Sequence, residues 1–70
     1  MKRGDFMDRE GFGVKIKQAR LEKGLTQQDL GKIIEVTPES ISYYESGKKI
    51  PSFAKLKVLC RVLGLNMNEL

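Results

Sequence analysis

Residues 26–51, TQQDLGKIIEVTPESISYYESGKKIP, constrain this chain more than any other stretch. Two helix-start signals stand close together in it. Thr26 can cap the first N–H groups of a helix through its hydroxyl, and Asp29 three residues on nearly completes a capping box. Thr37 repeats the signal. Pro38 then takes a first-turn position, where its missing N–H costs nothing, and Glu39 suits the positive end of the helix dipole. The spacing predicts two short amphipathic helices joined by a tight turn. Leu30, Ile33 and Ile34 form the expected inner face of the first, and Ile41 and Tyr44 that of the second. Gly31 inside the first helix costs about 1 kcal/mol relative to Ala. It is tolerable where another backbone passes close by. Gly47 ends the second helix.

The same periodicity organises the rest. Phe12, Ile16 and Ala19 recur on one helical face, with Lys15, Lys17, Glu22 and Lys23 largely off it. Gly24 closes that helix, and Lys23 in its last turn suits the dipole. Ser52 caps a further helix with Phe53, Leu56, Leu59, Cys60 and Leu63 as its apolar stripe, closed by Gly64. Leu65 and Met67 lead to a short fifth turn, with Asn66 as its cap and Leu70 as its apolar anchor. Residues 1–11 are polar and aperiodic, which predicts a flexible N-terminal arm. No stretch alternates as a strand would. The expected architecture is all-α: a compact bundle of about five short helices over residues 12–70.

Seventy residues make one domain at most, and a chain of this size buries only about 60% of its unfolded surface. There is no His, and Cys60 is the single Cys. An internal disulfide is therefore impossible, and neither a metal site nor a cofactor is expected. Cys60 lies in an apolar stripe and reads as a buried, inert thiol. Acid–base and nucleophilic catalysis lack their usual residues, so an enzyme is not expected. No apolar run approaches the ~18 residues of a membrane span. The N-terminus lacks the apolar stretch of a signal peptide, so the expected location is the cytoplasm.

The net charge of +4 says less than its distribution. Lys15, Lys17, Arg20 and Lys23 stand against Glu22 alone in one block. Lys48, Lys49, Lys55 and Lys57 make a second block with no acid. Between them the chain is acidic, with Asp29, Glu35, Glu39 and Glu45 against Lys32. Two basic blocks facing one way would suit the phosphates of a nucleic acid. A solvated, mixed surface fits the charge distribution equally well.

The positions Arg20, Leu25, Thr26, Gln27, Leu30, Val36, Ile41, Ser42, Glu45, Gly47, Lys48, Pro51 and Ser52, in fixed register, tip this balance. Together they resemble the Cro-like phage-repressor, or xenobiotic-response-element, helix-turn-helix family, over most of the chain from Phe12 to Leu70. The resemblance implies a lambda-repressor-like domain that binds double-stranded DNA, with its recognition helix in the major groove. It implies a transcriptional regulator, most simply a repressor, bound as a homodimer to a pseudo-palindrome with half-sites about one helical turn apart. Gln27, with Gln28 beside it, matches the start of the second helix, where a glutamine meets a phosphate and steadies a recognition-helix side chain. Thr37, Pro38, Glu39 and Ser40 match the end of the recognition helix where base contacts concentrate, and Ser42 and Tyr43 match the next outward positions. Ser46, Lys48 and Lys49 match the phosphate-gripping loop. Arg20 and Glu45 match a structural ion pair between the first helix and the end of the recognition helix.

The start of the recognition helix departs from the family's usual Arg, Gln or Ser. Pro38 can only pack, for example on a thymine methyl. Glu39 can accept from cytosine N4 but also repels phosphate; helix capping is its alternative role. A protein-interaction module on the same fold, antitoxin-like or bridging, is the alternative function, and Glu39 mildly favours it.

Overall fold

The computed structural model describes residues 9–67. Within them lie four helices: α1 (Arg9–Glu22), α2 (Gln27–Ile34), α3 (Pro38–Ser46) and α4 (Phe53–Leu63). α1 begins inside the segment read as an arm; the remainder of that segment, residues 1–8, lies outside the described residues. The described residues thus contain four helices where about five were expected, because the turn expected at residues 66–70 falls largely beyond them.

The caps form as the sequence dictates. The Thr26 hydroxyl accepts from the Asp29 N–H at 2.9 Å, and the Thr26 N–H donates to the Asp29 carboxylate at 3.0 Å. That backbone donor, then the Thr26 side chain and the charge of Lys32, hold the Asp29 carboxyl below its ordinary value. A depressed folded-state value means the contribution is present above the unfolded pKa and is lost as pH falls through the folded one. Thr37 accepts from the Ser40 N–H at 3.1 Å and Ser52 from the Lys55 N–H at 3.2 Å.

Each helix contributes one line to a single core. Phe12, Ile16 and Ala19 come from α1, Leu30 and Ile34 from α2, Ile41 and Tyr44 from α3, and Leu56, Leu59, Cys60 and Leu63 from α4. Each fully buried Leu or Ile contributes about 1.5–3 kcal/mol by leaving water. Burial also pushes the Cys60 thiol up, so it stays protonated and inert. Two residues assigned to apolar faces lie outside this core. Ile33 is half exposed and Phe53 is 67% exposed. α2 is short and meets its neighbours along the Leu30–Ile34 line, which leaves Ile33 at the margin. Phe53 is the first residue of α4, a turn before Leu56, and its ring lies against the Lys57 amine instead, 5.3 Å from centroid to nitrogen.

The turn between α2 and α3 decides how the second helix is presented. Glu35 ends α2 in the left-handed region, at φ 65° and ψ 47°. A glutamate there is strained, since the Cβ of an L-residue crowds the carbonyl. The side chain is exposed, so it has little packing to lose. Glu35→Gly is expected to raise stability by about 0.5–1 kcal/mol, after allowing for the extra freedom of Gly in the unfolded chain. A thermal melt with an unchanged or lower midpoint would contradict this. Just inside the turn, a Cβ on Gly31 would lie 2.6 Å from the Val36 carbonyl. This is the close backbone that makes a mid-helix Gly tolerable.

Candidate nucleic-acid interface

The exposed side of α3 is set by its buried side. With Ile41 and Tyr44 in the core, Glu39, Ser42, Tyr43 and Ser46 share the outward face at i, i+3, i+4 and i+7 spacing. Pro38 is exposed at the helix start. Thr37 and Ser40 are occupied by the cap. The Thr37 hydroxyl accepts from the Ser40 N–H and donates to the Ser40 hydroxyl at 3.1 Å. That leaves Glu39, Ser42 and Tyr43 as the outward groups most able to meet a partner.

The basic loop is folded back onto this face. The Tyr43 carbonyl accepts from the N–H groups of Lys48 at 2.9 Å and Lys49 at 3.3 Å, and from the Ser46 hydroxyl at 3.2 Å. Gly47 makes the reversal possible at φ 83°. As a result Tyr43, Lys48 and Lys49 line one hollow, and the Lys49 amine sits 5.1 Å from the centre of the Tyr43 ring.

On the other flank, the Arg20–Glu45 pair forms as the resemblance implies. Arg20 Nε donates to Glu45 Oε2 at 2.6 Å and Nη2 to Oε1 at 3.2 Å, while Nη1 donates to the Leu25 carbonyl at 2.8 Å. The two side chains are only 7% and 5% exposed. Gln27 adds a donor, from Nε2 to Glu45 Oε1 at 3.1 Å. The second helix thus steadies a side chain of the third. The arrangement also has an electrostatic effect: Arg20 offsets the charge of the Glu45 carboxylate at the end of α3.

Gln27, Ser42, Glu45 and Ser46 line a second hollow together with Lys17. Lys17 was absent from the sequence-derived site. Its signal was available, because Lys17 lies three residues before Arg20 and therefore on the same side of α1. Gln28 and Pro38 meet around a third, wider hollow with Gln27, Leu21 and Gly24. Ser42 and Ser46 of α3 thus share a hollow with Lys17, and Tyr43 shares another with Lys48 and Lys49, while Thr37, Glu39 and Ser40 line none of the three.

The helix-turn-helix family model matches residues 16–70. The chain belongs to the Cro/C1-type helix-turn-helix family. Among solved structures, that of the clp gene regulator ClgR from C. glutamicum superposes with a TM-score of 0.80 at 29% identity, over 97% of this chain and 87% of that one. Multiprotein-bridging factor 1a of Arabidopsis thaliana is 48% identical over 52 residues, which cover 74% of this chain and 37% of that protein. Endothelial differentiation-related factor 1 of Homo sapiens is 44% identical over 55 residues, 79% of this chain and 37% of that protein. The chain therefore spans little more than a third of these curated relatives. The helix-turn-helix and the regulator neighbour give this fold the character of a DNA-binding transcription regulator. No described helix is long and apolar enough to cross a membrane.

Proposed function

We propose that this chain binds double-stranded DNA with α3 in the major groove, and regulates transcription by doing so. The observation that carries the reading is the placement of cations on both flanks of the exposed α3 face, with the buried Glu45 carboxylate beside it neutralised by Arg20. Phosphate contacts by Lys17, Lys48, Lys49 and the start of α2 would set register, and the outward α3 side chains would meet base edges. In this reading the chain is a cytoplasmic, non-enzymatic repressor that acts as a homodimer on a pseudo-palindromic operator.

The test is a salt titration of binding to a duplex. Affinity should fall steeply as salt rises, through counterion release. Lys48→Ala and Lys49→Ala should weaken binding to all duplexes alike, and each should reduce the slope of log K against log salt by about 1. Binding that ignores salt would defeat the proposal.

A protein-bridging role is the second reading. It is favoured by the 44–48% identity to proteins named as bridging and differentiation-related factors. It calls for a partner protein on the same fold, with DNA contact weak or absent in the same titration.

A further inference from the structure

The outward face of α3 has an unusual chemical character for a groove-reading helix. The helix sequence, PESISYYES, holds no Arg, Lys, Asn or Gln. It therefore lacks the side chains that clamp guanine O6 and N7, and those that clamp adenine N6 and N7. The nearest carboxamides, Gln27 and Gln28, belong to α2, and Gln27 is already bound to Glu45. What α3 does present is one acceptor-only group, the Glu39 carboxylate, with the Tyr43 ring one turn further along the same face.

The cap of α3 is made by Thr37 and Ser40, and among the described residues the Glu39 carboxylate takes no hydrogen bond or ion pair. It lies in the first turn of α3, beside the positive end of the helix dipole.

Resting on the DNA-binding reading above, we propose that α3 recognises the pyrimidine edges of its half-site, with Glu39 accepting from a cytosine amino group and the Tyr43 ring lying on a neighbouring thymine methyl. Cytosine is favoured for a specific reason. Its N4 amino group is flanked on one side by the apolar C5–H. The adenine amino group lies between two acceptors, its own N7 and the O4 of the paired thymine, and both repel a carboxylate. Lys49 against the Tyr43 ring holds that ring at the edge of the phosphate-facing loop. The free carboxylate weakens binding to every duplex by repulsion, and only a site offering the amino group offsets that loss. Glu39 thus acts as a discriminator.

Selection from a random duplex pool, long enough for two half-sites, tests this with the wild-type chain and with Glu39→Gln. The wild-type pool should be enriched in cytosine at one position of each half-site. In Glu39→Gln that position alone should shift toward adenine, since a carboxamide matches adenine N6 and N7, and the cytosine preference should drop about tenfold. Glu39→Ala should lose the preference there and bind unrelated duplexes more tightly. Identical enriched sequences for wild type and both variants would overturn the assignment of Glu39 while leaving DNA binding intact. Enrichment of no sequence by any of the three, with salt-insensitive binding, would overturn the DNA-binding reading and this inference together.

Discussion

Arg20→Ala is expected to lower the melting temperature by about 12 °C or more. The change removes both bonds to the Glu45 carboxylate and the bond to the Leu25 carbonyl. Glu45 would remain as a carboxylate 5% exposed, with Gln27 as its remaining side-chain donor. Breaking a buried pair by removing one partner costs about 3–5 kcal/mol, because the surviving charge is uncompensated. In a domain of this size each 1 kcal/mol moves the midpoint by about 4–8 °C. A control separates the orphaned charge from lost packing. Arg20→Met combined with Glu45→Leu removes both charges and keeps apolar volume, so it should recover much of the loss. A single variant that melts with the wild type would show that the pair contributes no net stability. The effect on DNA binding should follow the same logic, since the freed carboxylate would face the phosphates beside α3.

The α2–turn–α3 unit was legible from its caps, because Thr26 and Thr37 act through contacts no more than three residues away. The core was legible from periodicity, which depends only on helix geometry. Periodicity names a face without saying how far a neighbour extends along it, which is why Ile33 and Phe53 were assigned to the interior. The Arg20–Glu45 pair joins residues far apart in sequence and could be anticipated only through family resemblance. Glu35 carried no signal, since a left-handed turn residue is expected to be Gly or Asn and here it is neither. The basic blocks gave the correct charges, yet which of them lie beside α3 depends on how α1 is oriented. Lys17 reaches that surface, and its place three residues before Arg20 was a clue left unused.

Gly13 fixes that orientation and supports the second large prediction. α1 packs chiefly on α3, and at Gly13 the two backbones come close together. A Cβ built there would collide with the Glu45 carbonyl oxygen, and would lie 2.7 Å from the Glu45 carbonyl carbon and from the Tyr44 carbonyl oxygen. All three are backbone atoms at the end of α3, so no side chain can rotate away. Gly13→Ala would gain about 1 kcal/mol of helix propensity, which favours the variant. Overpacking costs about 1–3 kcal/mol and sometimes more where the neighbours cannot yield, and contacts this short with backbone place the site at the upper end. The expected result is net destabilisation despite the better helix former. Gly13, Lys17 and Arg20 follow one another at i, i+4 and i+7 on α1, so moving the helix off α3 at Gly13 also pulls Arg20 from Glu45 and Lys17 from its hollow. Gly13→Ala should therefore lower the melting temperature and, in the fraction still folded, weaken duplex binding. A variant more stable than wild type would mean that α1 can back away from α3 at little cost, and the tight α1–α3 approach would no longer explain how the flanking cations are placed.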